Sequence, residues 1–317
     1  MAEIKAGENC PYISIVIPTW NRKKDLIDCI DSVQRQNYPQ KKIEVVVYDN
    51  ASTDGTSKAM SHKYINPKDA NKCRVVVIKS VQNIGTSMPF NKAIRRTDSK
   101  SEFVIGMDDD VVLERDCIRN LVATIKNNPE AGVVGARSVY FEDPGKTAYG
   151  AGRINWWLTK FSHQDSSKLI ECDYVIGCCF LFRKQAFLEV GGIDPDYCTC
   201  HWEMDFCTRI KRCSYKIFYQ PQAVVRHKVS VVNNKRSRLY YLYRNKLMII
   251  RKVAPPLAKI SSLLVYVVLW IPKIFGESLI YHKGLNRAEM KIILKSVVDG
   301  FTGVRGRISG QFSDQVH

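Results

Sequence analysis

Three adjacent aspartates, Asp108, Asp109 and Asp110, follow the apolar run Phe103–Met107 and lead at once into a second apolar run. A core strand gains nothing from three carboxylates at its end. Oxygen-rich clusters suit hard divalent cations, and a cation held there can neutralise a diphosphate. The chemistry to look for is the handling of a phosphate-bearing group.

The elements that must position these carboxylates are legible as short apolar runs. β-Branched segments predict strands at 13–17, 43–48, 74–79 and 103–107. Leu26, Ile27, Ile30 and Val33 recur at helical spacing, and Pro39 closes that segment. Further helices are predicted from near Asp54 and over about 87–96. Strand–helix alternation implies an α/β fold, mostly parallel with right-handed crossovers, whose ligands bind beyond the carboxyl ends of the strands. Polar or glycine-containing turns fall at all four ends: Pro18, Thr19, Trp20 and Asn21, then Asp49 and Asn50, then Asn83, Ile84 and Gly85, then the aspartates. After a helix over about 114–127 comes a less regular middle, in which Gly191-Gly192 breaks the chain. A helix over 203–212 and short strands at 216–219 and 223–226 then lead to His227.

The 317 residues suffice for a sizeable core. Residues 1–10 are polar and show no apolar leader, so the catalytic part is expected on the cytoplasmic side. The 11 cysteines include no C-x-x-C pair, which excludes a zinc ribbon and gives no support to a disulfide scaffold. Cys198-Thr199-Cys200-His201 has the wrong spacing for a metal clip and reads as buried or loop thiols. Net charge is +17, and residues 233–317 hold 15 Lys/Arg against 4 Asp/Glu. That uneven surplus implies an anionic partner. The basic, aromatic helix predicted at 236–252 raises nucleic-acid binding as an alternative, but no nucleic-acid motif accompanies it and none is expected to bind. The apolar stretch 260–271 is too short to span a bilayer, which needs about 20 residues, and 257–281 reaches that length only by including two lysines and Glu277. It is expected to lie on or dip into an anionic membrane surface, with a buried helix as the alternative.

Several segments resemble the inverting glycosyltransferases of family 2, which have the GT-A fold. They are Ile13-Ser-Ile-Val-Ile-Pro-Thr-Trp-Asn-Arg22, Val45-Val-Val-Tyr-Asp-Asn-Ala-Ser-Thr-Asp-Gly-Thr56, Asn83-Ile-Gly85 and the triple aspartate. The likeness continues through Gly177-Cys-Cys-Phe-Leu-Phe182, Gly191-Gly-Ile-Asp194, Trp202-Glu-Met-Asp-Phe206 and Arg226-His227. It covers roughly 12–230, and the tail looks like that of membrane-associated, rhamnosyltransferase-like members. The resemblance implies a GT-A catalytic domain over 1–232, with a nucleotide-sugar half to about 110 and an acceptor half beyond, followed by a basic helical tail over 233–317.

It also implies roles. Asp49 would accept the imide N–H of a uracil or thymine in a UDP- or dTDP-sugar, although guanine also offers donors. Pro18, Thr19 and Asn21 would line the nucleotide cleft, Gly85 would allow close backbone approach, and Asn91 is a weaker donor contact. Asp54 either positions the nucleotide or caps the next helix. Asp110 would be the direct ligand of Mn2+ or Mg2+, Asp108 would share the metal shell or touch the ribose, and Asp109 would touch the ribose. His227 would join the metal, and an imidazole ligand favours manganese somewhat. Inversion requires one base for the acceptor hydroxyl. Where the family has an Glu-Asp-x-Asp element, this chain has Trp202-Glu203-Met204-Asp205, which places Glu203 at the base position. Asp205, turned about 200° away on a helix, is expected to pair with Arg209. Trp156, Trp157 and Trp202 are either acceptor platforms or core. The acceptor would be a glycan, free or on a polyprenyl-type lipid, at the cytoplasmic face of the membrane. A sugar nucleotidyltransferase also uses aspartates and metal, but Pro18-Thr19-Trp20-Asn21 lacks its basic, glycine-rich triphosphate loop.

Overall fold

A computed structural model describes residues 10–65, 72–228, 235–272 and 287–307. Its first half alternates β1 (Ile13–Thr19), α1 (Lys23–Gln34), β2 (Ile43–Asp49), α2 (Thr56–Tyr64), β3 (Arg74–Lys79), α3 (Ser87–Ile94) and β4 (Phe103–Met107). The four strands lie in the order β3-β2-β1-β4 and pair in parallel. All seven residues of β2 are buried, because helices cover both faces of a parallel sheet. This is why the strands read as unbroken apolar runs rather than as alternation.

The second half is mixed. It contains β5 (Val111–Leu113), α4 (Cys117–Asn127), β6 (Ala131–Tyr140), β7 (Thr147–Tyr149), β8 (Ala151–Asn155), β9 (Lys160–Gln164) and β10 (Ile170–Cys172). Then come β11 (Cys179–Arg183), α5 (Lys184–Glu189), α6 (Trp202–Arg212) and β12 (Lys216–His227). β11 runs antiparallel between β4 and β6, and β12 lies parallel to β6. The two short strands expected at 216–219 and 223–226 are one strand with a register shift between Gln220 and Val224. Pro221 sits in that gap, where its missing N–H cannot serve the ladder. The far end of β12 pairs antiparallel with β5, which aligns His227 with Val111. A long strand from one half of the sheet thus delivers a histidine to the aspartates at the end of the other.

Among the described residues three α-helices follow: α7 (Lys235–Val253), α8 (Pro256–Val265) and α9 (Arg287–Thr302). α7 is part of the body rather than a loose tail. Its Met248, Ile249 and Val253 share a core with Phe180, Phe182, Trp202 and Phe206. Among the described residues no helix is long and apolar enough to cross a membrane. The stretch expected at 260–271 is the end of α8 continued by a π-helical turn, Tyr266–Trp270.

The tightest join between α7 and the body is a fully buried arginine. Arg244 donates to the carbonyls of Gly306 (2.6 Å), Asp196 (2.9 Å) and Tyr197 (3.3 Å), and stacks 4.8 Å from the Tyr241 ring centre. Asn245 donates to the carbonyls of Tyr197 (2.9 Å), Cys200 (2.9 Å) and Thr199. Truncating Arg244 takes its donor from Gly306 O and one of two donors each from Asp196 O, which keeps Gly306 N–H (2.8 Å), and Tyr197 O, which keeps Asn245; each lost hydrogen bond is worth about 0.5–1.5 kcal/mol. Arg244→Ala is therefore expected to lower the urea midpoint of the main unfolding transition, with its slope unchanged. An unshifted midpoint would show that the C-terminal helices fold independently of the sheet.

Candidate active site

A cleft of about 650 Å³ opens at the carboxyl ends of β1 and β4 and is closed on its far side by the start of α6 and by α7. Among its lining residues are Pro18, Thr19, Asn21, Gly85, Asp108, Asp109, Asp110, Trp202, Glu203 and His227. Gly85 adopts φ +85°, and a side chain there would lie 2.6 Å from the Cys198 sulfur, so only glycine lets these loops meet. Asn21, at φ 54°, knits the turns after β1 and β2: its Oδ1 accepts from Thr53 N (2.7 Å), and its own N–H donates to Ser52 Oγ (2.9 Å).

The acidic end of β4 is held on both sides. Asp108 N–H donates to Cys178 O (3.0 Å), and Asp110 O accepts from Lys228 N (2.9 Å). Antiparallel pairing of β5 with β12 sets His227 Nε2 3.1 Å from Asp110 Oδ1. One ligand atom each from Asp108, Asp110 and His227 lies within 4.8 Å of the other two. Two carboxylates and an imidazole at this spacing fit Mn2+ or Mg2+, with the nitrogen favouring manganese.

Burial and the Asp110 charge push Asp108 well above the ordinary carboxylate range. Burial pushes Asp109 up to about 7, aided by Asp110 and opposed by Arg22 and a hydrogen bond from Thr19. Arg22 partly relieves this crowding, with Nη1 3.3 Å from Asp110 and Nε 3.7 Å from Asp109. Burial works against a charged His227, but its hydrogen bonds with Asp110 and Cys178 outweigh that and push it up to about 11. Asp108, Asp109 and His227 are thus each shifted toward their protonated forms.

Glu203 stands in the first turn of α6. The loop before it carries three L-residues in the left-handed region: Cys198 (φ 59°), Cys200 (φ 54°) and His201 (φ 64°). Such conformations persist only where surrounding contacts over-determine them. Here Thr86 N–H binds Cys198 O (2.7 Å), while Arg244 and Asn245 take the neighbouring carbonyls. Burial pushes Glu203 up to about 7, against hydrogen bonds from its own backbone N–H and that of Gly177. Asp205 points the other way, fully buried, with Arg209 Nη2 2.6 Å away.

The other expected site residues, Trp202 apart, lie outside the cleft lining. Asp49 is fully buried; its oxygens accept from Ser52 N (2.8 Å) and from the Ser57 hydroxyl, so in this conformation it shapes the 50–57 loop. The residue that reaches the cleft there is Asn50, which bonds Asn83 Oδ1 (3.0 Å) and Gly85 O (2.8 Å). Asp54 accepts from Lys23 N (3.0 Å) and Thr56 N (3.0 Å), tying α1 to the start of α2. Asn91 clamps Ile193 through both backbone groups (2.6 and 3.0 Å). Trp156 packs edge-on to Phe161, and Trp157 is 59% exposed on a hairpin. Trp202 lines the cleft with one edge but is 97% hidden (3% exposed), packed on Phe90 and Phe180. A side chain at Gly177 would lie 2.4 Å from it.

Sequence reasoning gave no role to Arg22, Tyr149, Tyr174, Ser237, Arg238 or Leu242, all of which line the cleft. Arg22 had a usable signal, because three adjacent aspartates demand a nearby cation and it closes the polar turn after β1. Ser237, Arg238 and Leu242 had none, since nothing local in α7 says which surface it docks against.

The family model described as glycosyl transferase family 2 matches residues 14–191. An N-acetylglucosaminyltransferase of Azorhizobium caulinodans is 27% identical over 53% of this chain, and the match spans only 36% of that relative's length. The N-acetylglucosaminyl-diphospho-decaprenol L-rhamnosyltransferase of Mycobacterium tuberculosis is 24% identical over 59% of this chain and 67% of its own. Among solved structures, the mannosyltransferase PcManGT of Pyrobaculum calidifontis, in complex with GDP-Man and Mn2+, superposes with a TM-score of 0.60 at 19% identity. That superposition covers 93% of this chain and 83% of PcManGT, and it identifies the fold as GT-A-like.

The raised Glu203 carboxyl makes a prediction independent of turnover. Its ordinary value is 4.5 and its folded value about 7, so the folded state favours the proton. That contribution is full below the ordinary value and is lost as pH rises through the folded one. Glu203→Gln, neutral throughout, is expected to match the parent's Tm near about pH 4.5 and to exceed it increasingly up to about pH 7, with a constant gap above. A Tm difference independent of pH would place Glu203 in water.

Proposed function

The chain belongs to glycosyltransferase family 2, and we propose that it moves a sugar from a nucleoside-diphosphate donor to an acceptor hydroxyl with inversion. The observation carrying this is that two carboxylates and an imidazole able to share a cation face Glu203 across one cleft. Asp108, Asp110 and His227 would hold Mn2+ or Mg2+. Such a cation supplies charge neutralisation to a departing diphosphate. Arg22 offers guanidinium N–H groups at the same end of the cleft and balances the surplus carboxylate charge.

Glu203 is the proposed general base. A carboxylate near 7 is matched to accepting a proton from a hydroxyl at neutral pH. Single displacement needs no protein nucleophile, which agrees with the cysteines near the cleft being buried thiols with raised pKa values. The acceptor is proposed to be a glycan hydroxyl, free or on a polyprenyl-type lipid. Exposed Arg238, on the cleft wall, suits a phosphate carried by such an acceptor. The finer preference for UDP or dTDP rests on Asp49, whose oxygens already hold the 50–57 loop. A panel of UDP-, dTDP- and GDP-sugars, scored for metal-dependent hydrolysis and thermal stabilisation, decides the base.

Glu203→Gln is expected to bind donor as the parent does while losing transfer by about 10²–10⁴-fold, the usual share of a general base. In the parent, kcat/KM should rise with pH and level off above about 7. Unchanged turnover in Glu203→Gln would remove the base. For the cation site, Asp110→Asn is expected to abolish the Mn2+-dependent part of nucleotide-diphosphate stabilisation. Retained metal dependence would place the ion elsewhere.

A further inference from the structure

α8 is amphipathic in the wrong sense for a helix resting on a protein. Ala258, Ser262 and Tyr266, spaced one turn apart, face inward and are buried. Leu257, Ile260, Leu264, Val267 and Val268 face outward at 78, 65, 59, 44 and 60% exposure. A surface helix ordinarily buries its aliphatic stripe. Here small and polar residues make the packing, and the large aliphatics are left in water.

The apolar surface continues onto the β8–β9 hairpin, where Trp157 and Leu158 are 59% and 53% exposed. The two elements are fastened together. Thr159 Oγ1 donates to Ser262 O (2.9 Å), the Ser262 hydroxyl to Trp156 O, and the Trp270 indole N–H to Leu158 O (3.1 Å). They form one continuous patch, and such patches mark interaction sites.

Charge decides the occupant. Residues 254–272 contain Lys259 and no Asp or Glu, and 153–164 contain Arg153 and Lys160, both exposed, and again no acid. Behind the π-helical turn, Lys246 Nζ lies 4.0 Å from the Trp270 ring centre and 5.5 and 5.7 Å from those of Phe161 and Tyr266. A second copy of this chain packed stripe to stripe would oppose positive rims to each other. An anionic lipid surface would complement them. Among the described residues, the helical run 256–272 reaches about 26 Å at ~1.5 Å per residue, short of the ~30 Å hydrocarbon core.

We propose that α8 and the Trp157–Leu158 hairpin form a docking surface for an anionic bilayer, with the helix lying in the plane of the headgroups. This goes beyond the transfer reading and does not depend on it.

The test is flotation of the full chain with vesicles of equal parts phosphatidylglycerol and phosphatidylcholine, against vesicles of phosphatidylcholine alone. The parent should float with the anionic vesicles and do so less in high salt. Ile260→Glu/Leu264→Glu/Val268→Glu should bind at least about tenfold more weakly, because three aliphatic side chains would no longer leave water. Its Tm without vesicles should be unchanged, because these positions already face water. Trp157→Ser/Leu158→Ser, outside the helix, should weaken flotation in the same direction. Undiminished flotation of both variants overturns the proposal, as does equal binding to uncharged vesicles. Unfolding of the triple variant would show the stripe to be buried, and conversion of a parent dimer to a monomer would show it to be a self-interface; either result also overturns it.

Discussion

The site is organised around like-charge crowding at the end of one strand. Three consecutive carboxylates leave β4, and Asp109 and Asp110 are nearly buried, at 8% and 9% exposure. Carboxylates crowded in a low-dielectric site repel one another, and neighbouring cations relieve that repulsion. Each surrounding element supplies part of the answer. Arg22 comes from the turn after β1, His227 from the far end of β12, and Lys228, just beyond it, holds Asp25 (2.9 Å) and Asp28 (2.6 Å) on α1. The mixed second half of the sheet is what allows this. Only a long strand pairing with β5 brings a histidine from residue 227 to the side of residue 110. Asp108, Asp110 and His227 would hold a divalent cation there in place of protons, so its binding would be expected to weaken as pH falls.

The second constraint acts on the other wall of the cleft. Glu203 is aimed by a loop whose backbone is unfavourable at three non-glycine residues, and the loop keeps that shape because its carbonyls are spoken for. The donors come from Arg244 and Asn245 of α7, more than forty residues downstream in sequence. The C-terminal helices are in this sense part of the active site. Arg244 is charged and fully buried; it donates to backbone carbonyls and to Asn245 Oδ1 (2.9 Å) and lies against the Tyr240 and Tyr241 rings. A guanidinium is suited to that place because its fan of N–H donors can satisfy several acceptors at once, which a lysine ammonium on a flexible stem does less well.

What the sequence revealed and what it hid follow physical lines. β1 to β4 were legible because burial on both faces forces unbroken β-branched runs, and their polar ends were legible because a parallel sheet exposes ligands there. The ordered motifs from Pro18 to His227 carried the family. β5, β7 and β10 were hidden because three residues are too few to show a period. The sequence points Asp49 and Asn91 at a ligand and Asp54 at either a ligand or the start of α2; in the structure Asp54 serves α2, and all three make backbone or hydroxyl bonds that fix a loop. A polar side chain at a strand end serves either purpose, and sequence alone does not distinguish them. The basic character of α7 was plain, whereas its docking was not. Its buried Arg244 and its exposed Arg238 are the same residue type on one helix, and only tertiary packing separates them.

That packing makes α7 the hinge of the whole arrangement. One face enters the core through Met248 and Ile249, one end lines the cleft through Ser237 and Arg238, and Tyr243 O accepts from the Tyr266 hydroxyl (3.3 Å) of the turn that ends α8. Lys246 sits beneath the same turn, among Phe161, Tyr266 and Trp270, and its charge also bears on His201, which burial pushes down to about 3. His201 immediately precedes the helix that carries Glu203. α7 thus joins the outward apolar stripe to the loop that orients the proposed base. With the stripe in a lipid headgroup layer, the cleft would be fixed in orientation and height above the bilayer. A hydroxyl on a lipid-borne glycan would then reach Glu203 by two-dimensional diffusion, with its phosphate passing Arg238 on the cleft wall.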